Sequence, residues 1–348
     1  IMFSNLRSLI FKLDPEIAHN LAIKSLKFNL VPNILNEKKN NPLFKTELFK
    51  KSLENPFGVA AGFDKNAEVY NSLFKLGFGF VEVGTITPLK QYGNPKPRVF
   101  RLLEDEALIN RLGFNNLGSS NVVDRIKSNQ PLGLLGINVG PNKDTKNKLV
   151  DYVNCFKTFN DVADYITVNI SSPNTEDLRS FHEQEKLDEL LQTIDKEKHN
   201  LKSKTPLAVK ISPDIDDKEI NKISEVLLSN NIEVIIVSNT SDSSRDDLTN
   251  IQRHQKGGLS GKPIQKKSTK LINRFYKILK GRIKIIGVGG VDSGKSAYEK
   301  FLAGADYIQL YTGMVFRGPS IVSMIKKELS ELLLKDGVKN FTEIIGKK

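Results

Sequence analysis

The stretch Ile283-Lys-Ile-Ile-Gly-Val-Gly-Gly-Val-Asp-Ser-Gly-Lys-Ser296 decides the fold. A β-branched apolar run ends in a glycine turn, and a helix-like segment follows. From Gly289 to Ser296 the residues match G-x-x-x-x-G-K-[ST], the pattern of nucleoside triphosphate loops. The competing reading is one βα unit of a barrel, whose glycine turn grips a phosphate through backbone N–H groups.

The flanking sequence favours the barrel. Seven more short apolar runs share the form: Gly58–Gly62, Phe80–Thr87, Leu134–Val139, Tyr165–Ser172, Leu207–Ser212, Val234–Thr240 and Tyr307–Thr312. They read as buried parallel strands. Amphipathic segments lie between them, at Ala67–Leu76, Glu183–Leu201, Asp217–Asn230, Pro263–Lys280 and Ser293–Ala303. Eight strands in βα alternation predict an α/β fold, a (β/α)₈ TIM barrel, with the opening stretch as its seventh unit. No strand ends in a Walker B type aspartate, so the triphosphate reading is the weaker one.

Two connections, Pro88–Pro131 and Ser241–Arg282, exceed plain βα loops and are expected to build or cover the site. Before the barrel, Phe3, Leu6, Leu9, Ile10 and Leu13 have helical spacing. Asp14-Pro-Glu16 then reads as an N-cap, a proline at N1 and an acid in the first turn of a second helix. The segment 1–40 is expected to be a helical extension and 41–348 the barrel domain. The extension is either a cap packed on the barrel or an interfacial pair touching lipid.

Composition bounds the rest. The 348 residues are 39% hydrophobic and 26% charged, as in ordinary globular chains. A single cysteine, Cys155, excludes an internal disulfide framework, and four histidines leave little for a metal centre. No run is long enough to span a bilayer and no signal-peptide pattern is seen. The net charge of +12 is concentrated in two places. Residues 1–50 hold eight Lys/Arg against four acids, and Lys256–Lys284 holds ten with no acid.

Catalytic groups of a barrel sit at the C-terminal ends of its strands. Those ends carry Gly62-Phe-Asp-Lys65, Thr85, Asn138, Asn169, Ser171-Ser172, Lys210, Asn239-Thr240, Gly287 to Gly290 and Tyr311-Thr312. Amides, hydroxyls and two lysines dominate. That argues against a carboxylate-pair glycosidase and a histidine-based hydrolase, and suits a planar anionic ligand such as a flavin phosphate.

With these residues in hand, the chain resembles the class 2, quinone-linked dihydroorotate dehydrogenases. The likeness runs through Leu13-Asp-Pro-Glu-Ile-Ala-His19, Ala60-Ala-Gly-Phe-Asp-Lys-Asn66, Val81-Glu-Val-Gly-Thr-Ile-Thr-Pro88 and Gly93-Asn-Pro-Lys-Pro-Arg-Val-Phe-Arg-Leu102. It continues through Asn110-Arg-Leu-Gly-Phe-Asn115, Val168-Asn-Ile-Ser-Ser-Pro-Asn-Thr175, Gly257-Gly-Leu-Ser-Gly-Lys-Pro263, Gly287-Val-Gly-Gly290 and Leu310-Tyr-Thr312.

The resemblance implies FMN-dependent oxidation of dihydroorotate to orotate in pyrimidine synthesis, with hydride passing to flavin N5. It implies FMN contacts from Ala61, Gly62, Thr85, Asn138, Asn169, Lys210, Gly261, Gly290, Tyr311 and Thr312, and from Ser238, where the family usually has threonine. It places the substrate against Lys65, Asn110, Arg111, Leu112, Gly113, Phe114, Asn115, Asn169, Asn174, Asn239 and Thr240. Ser172 becomes the general base, where class 1 relatives have cysteine, with Thr175 as the proton's outlet. The N-terminal helices become a quinone tunnel past Ala18, His19, Arg101 and Tyr311, peripheral to an anionic membrane on its cytoplasmic face. No metal and no nucleic acid are implied. Glu176-Asp177 replaces the family's Pro-Gly in the loop after the base. Rival readings are a flavin barrel with another electron acceptor, a P-loop NTPase, and a nucleic-acid binder acting through Lys256–Lys284.

Overall fold

A computed structural model describes residues 2–28, 41–175 and 177–348, with side chains from residue 6 onward at the N-terminal end. The expected boundary at residue 40, the side chain of Phe3, and Glu176 lie outside the described residues.

Two helices open the chain, α1 (Met2–Ile10) and α2 (Pro15–Lys27). The Asp14 carboxylate accepts the N–H groups of Glu16 and Ile17 at 2.9 and 3.0 Å, so α2 starts where the N-cap reading put it. A hairpin of β1 (Thr46–Leu48) and β2 (Lys51–Leu53) follows.

The closed barrel is made of β3 (Phe57–Val59), β4 (Phe80–Ile86), β7 (Leu134–Val139), β8 (Tyr165–Asn169), β9 (Leu207–Ile211), β10 (Val234–Val237), β12 (Lys284–Val288) and β13 (Tyr307–Leu310). Every neighbouring pair is parallel, and the ring closes where Ile308 and Leu310 of β13 pair with Phe57 and Val59 of β3. These are the eight strands expected; β7 keeps its expected bounds and the other seven end one to three residues earlier, where their last residues turn into the loops. The outer layer holds α3 (Tyr70–Lys75), α4 (Ser119–Ser128), α5 (Lys148–Phe159), α6 (Gln184–Asn200), α7 (Asp217–Ser229), α8 (Gln265–Leu279) and α9 (Gly294–Ala303). Short α10 (Thr312–Arg317) and longer α11 (Ile321–Lys335) complete it.

The barrel interior is layered. At the N-terminal end Phe80, Leu134, Tyr165, Ile236, Ile286 and Tyr307 form an apolar floor, plugged from outside by Leu48 and Leu53 of the hairpin. Gly136 is required there, because a β carbon would come within 2.1 Å of the Tyr165 ring. The second core lies between barrel and helices and includes Cys155, fully buried, its thiol pushed up by burial and by Asp151.

The two long connections do something the local pattern does not announce: they pair with each other. The first contributes β5 (Val99–Leu102) and β6 (Ala107–Asn110), the second β11 (Gly258–Gly261). Together they form a three-stranded antiparallel sheet in which Gly258 pairs with Asn110. This roof covers the C-terminal mouth of the barrel.

Candidate active site

Above the apolar floor lies a polar layer built on Glu82 of β4. Its carboxylate accepts Asn138 Nδ2 at 2.9 Å, the Tyr165 hydroxyl at 2.9 Å, Gln309 Nε2 at 3.0 Å and the Thr167 hydroxyl at 3.1 Å. Lys210 on β9 is 4% exposed, and burial lowers its ammonium pKa against the opposing pull of Glu82. Sequence reasoning found Lys210 and missed Glu82 and Gln309. The available signal was a lone acid inside an all-apolar strand run.

Next outward, three strand ends interlock. The Thr85 hydroxyl donates to Asn138 Oδ1 at 2.6 Å, and Asn169 Nδ2 donates to both Thr85 Oγ1 and Asn138 Oδ1 at 3.0 Å. Asn169 Oδ1 accepts the Ser171 hydroxyl at 2.8 Å, and Ser171 Oγ accepts Asn239 Nδ2 at 2.9 Å. Four strand-end loops are thus held in one register. The polar cavity reached by Asn239 is lined also by Ala61, Asn110, Lys210, Ser238, Thr240, Gly261, Gly290, Tyr311 and Thr312. Gly62, at φ +105°, donates its N–H to Gly84 O beside that cavity.

Ser172 is 5% exposed in the loop after β8, and its Oγ accepts the Asn174 backbone N–H at 3.2 Å. That bond favours negative charge on the oxygen. Thr175 follows in the same turn and makes no hydrogen bond to Ser172. Asn174 Nδ2 donates to Asn110 O at 3.1 Å, joining the base loop to the roof. A clasp that sequence reasoning missed is Arg179. It donates to Ser171 O and Thr240 O at 3.2 Å and pairs with Asp214 and Asp242.

The remaining residues expected around the substrate divide. Lys65 donates to Gly62 O at 2.8 Å, and burial lowers its ammonium to about 8, with Glu16 opposing. Asn115 Oδ1 is buried and has no partner in the protein. Gly113 and Phe114 form a positive-φ turn that sets the Phe114 ring beside Thr85. Leu112 faces the neighbouring apolar cavity. Arg111 is turned away. Its guanidinium stacks on Phe100 and donates to Gln255 Oε1, Lys256 O and Pro97 O, bracing the two long connections against each other.

That second cavity, about 1030 Å³ and mainly apolar, lies between α1, α2, α10 and the roof. Ala18, His19, Arg101 and Tyr311 all line it, and Tyr311 also lines the polar cavity. The His19 ring stands edge-on to Phe63 and Tyr311 at centroid distances of 5.3 and 6.4 Å. Burial, with nearby Lys65, holds its pKa well below the ordinary imidazole value, so the ring is neutral. Arg101 lies over Phe11 at 4.3 Å and donates to Phe11 O at 3.1 Å, securing the α1–α2 turn to β5. Glu16 of α2 makes a bidentate pair with buried Arg98, at 2.7 and 3.1 Å, which fixes the angle of the helix pair.

The triphosphate motif does not form a triphosphate site. Lys295 is exposed, Gly294 N–H is taken by Glu328 Oε2 at 2.6 Å, and Ser293 and Ser296 cap each other. The start of α9 is therefore filled by the chain's own groups.

A family model described as Dihydroorotate dehydrogenase matches residues 43–333. A Bartonella henselae protein named dihydroorotate dehydrogenase (quinone) is 46% identical over 338 residues, covering 96% of this chain and 92% of its own. A Vibrio parahaemolyticus protein of the same name is 45% identical, with 93% and 98% covered. Among solved structures, ligand-free DHODH from Eimeria tenella superposes with a TM-score of 0.92 at 37% identity, covering 96% of this chain and 99% of that one. The same enzyme in complex with ferulenol gives 0.92 at 36%, with 96% and 95% covered. Barrel, roof, strand-end chemistry and these relatives agree: the chain belongs to the dihydroorotate dehydrogenase family of oxidoreductases.

Proposed function

We propose that the protein oxidises dihydroorotate to orotate with flavin mononucleotide as its cofactor and passes the electrons to a membrane quinone. The observation that carries this reading is the meeting of two unlike cavities at Tyr311, one polar and lined by Lys210, Asn239 and Thr240, one apolar and opening between the N-terminal helices.

The donor set fits such a cofactor. Gln309 Oε1 is buried without a partner in the protein, Gln309 and Lys210 line the same cavity, and Gly290, at φ +72°, lies so close to the start of α8 that a β carbon would come within 2.6 Å of the Gln265 backbone, so only glycine fits this turn of the cavity wall. Thr85, Asn138, Asn169 and Lys210 would hold the ring. Gly261, Gly290 and Thr312 would hold the phosphate end, with Ala61, Gly62, Ser238 and Tyr311 along its faces. When bound, flavin mononucleotide supplies a two-electron acceptor at N5.

The chain's own residues do the rest. Lys210 stabilises negative charge at the inner end of the cavity. Lys65 pairs with the substrate carboxylate, and the amides of Asn110, Asn115, Asn174 and Asn239 offer both donors and acceptors to the edges of a flat ring, with Thr240 alongside. Ser172 removes the substrate proton. The Asn174 N–H steadies negative charge on the Ser172 oxygen as its own hydroxyl proton leaves outward by way of Thr175, and the roof excludes water. Arg111 is assigned a bracing role for this pocket rather than a direct contact.

Residues 1–40 act as the quinone-admitting segment and 41–348 as the catalytic barrel. The pair α1–α2 rests on an anionic membrane surface from the cytoplasmic side. Leu9, Leu13, Ile17 and Leu21 are exposed on it, and among the described residues no helix is long and apolar enough to cross a bilayer.

The test is spectroscopic. The purified protein should show a flavin spectrum that dihydroorotate bleaches without oxygen and a quinone restores. Recovery with fumarate or NAD in place of quinone would overturn the acceptor assignment, and a colourless, inactive protein would overturn the whole reading.

A further inference from the structure

Lys300 of α9 is completely buried. Its ammonium donates to Ser268 Oγ at 3.0 Å and Thr269 Oγ1 at 3.2 Å, and no carboxylate lies within ion-pairing distance of it among the described residues. A buried cation held only by hydroxyls is costly in an apolar interior. It stands directly behind the glycine turn at the end of β12. Ser268, which accepts from Lys300, donates to Val288 O. A β carbon on Gly289 would lie 3.2 Å from Ser268 Oγ, and one on Gly287 would lie 3.4 Å from Lys300 Cδ. The front of the same turn, Gly289 and Gly290, lines the polar cavity together with Thr312 and Gly313.

The geometry points to Lys300 as a positioning residue for the cofactor's phosphate: a concealed countercharge, one hydroxyl behind Gly289, that anchors the turn through Val288 and draws a phosphate to its front. The inference rests on the flavin mononucleotide reading above and says where the phosphate's charge is balanced. Among the described residues Lys210 is the one side-chain cation lining that cavity, and it lies on β9, not on the turn after β12. Burial lowers the Lys300 ammonium to about 7, with Glu299 opposing. Glu299 is itself engaged by Gln265 Nε2 at 2.6 Å, so an arriving phosphate meets a cation without a strong partner.

The experiment compares two ligands that differ only in the phosphate. Full-length protein stripped of flavin is titrated with FMN and with riboflavin, following flavin fluorescence. Wild type should prefer FMN. Lys300→Met should reduce that preference about tenfold by weakening FMN alone, leaving riboflavin affinity unchanged. Lys300→Gln keeps a hydrogen bond to the two hydroxyls without the charge and should lose the preference equally, which also covers failure of the methionine variant to fold. A preference retained in both variants, or equal weakening of both ligands, overturns the assignment while leaving the cofactor reading intact. Wild-type protein that binds neither flavin overturns both.

Discussion

In the proposed reaction Ser172 is a weak base made useful by its surroundings: it is buried, and a backbone N–H points at its oxygen. Ser172→Ala should keep the flavin spectrum and lose about a thousandfold in kcat at neutral pH. Stopped-flow reduction by dihydroorotate checks this, and unchanged reduction would remove Ser172 from the chemistry. If Lys65 holds the substrate as proposed, it sets an alkaline limit. Its ammonium, lowered to about 8, is charged below that pH and lost above it, so kcat/KM for dihydroorotate should fall as pH rises through about 8. Lys65→Met should flatten that limb while raising KM. The residues of the candidate site could be named one by one, because a lysine, asparagine or serine at the end of an apolar strand run stands where a barrel places its chemistry. The orientation of Arg111 could not. Its motif places it beside the substrate, but whether a long side chain turns inward depends on Phe100 and Gln255, distant in sequence.

At the scale of elements, β4 and the helix pair carry separate risks. Glu82→Gln leaves Lys210 without its counter-charge and should cost about 3 kcal/mol, read from urea unfolding. Removing residues 1–40 should leave flavin bound and bleachable by dihydroorotate while quinone reduction collapses. Unaffected quinone kinetics would refute the tunnel role of His19 and Tyr311. The barrel strands and outer helices were legible because period-2 and period-3.6 patterns are local. The roof was not. The pairing of β11 with β6 joins residues almost 150 positions apart, and no short-range pattern encodes a partner that distant. The hairpin β1–β2 escaped for another reason: its strands are three residues each, too short to show alternation.

Taken whole, the molecule carries its positive charge in two different settings. In the basic stretch Lys256–Lys284, Lys262, Lys267, Arg274 and Lys284 pair with Glu106, Asp214, Asp217 and Asp306, and the others line the outer ring on α8 and its flanking loops. Lys12 and Lys24, by contrast, are exposed on the apolar helix pair. Changing both to glutamine should weaken co-sedimentation with anionic vesicles about thirtyfold, whereas neutralising Lys266, Lys270 and Lys277 should leave it unaltered. The ring closure of β13 on β3 has a consequence for synthesis. The segment that completes the barrel also ends in Tyr311 and Thr312, so it emerges from the ribosome after nearly nine-tenths of the chain. Phe57 and Val59 must wait for partners about 250 residues away, a slow encounter for a polypeptide. A ligand held by Tyr311 and Thr312 would therefore find its site complete only after the ring has closed, and would add its binding free energy to the stability of the finished barrel.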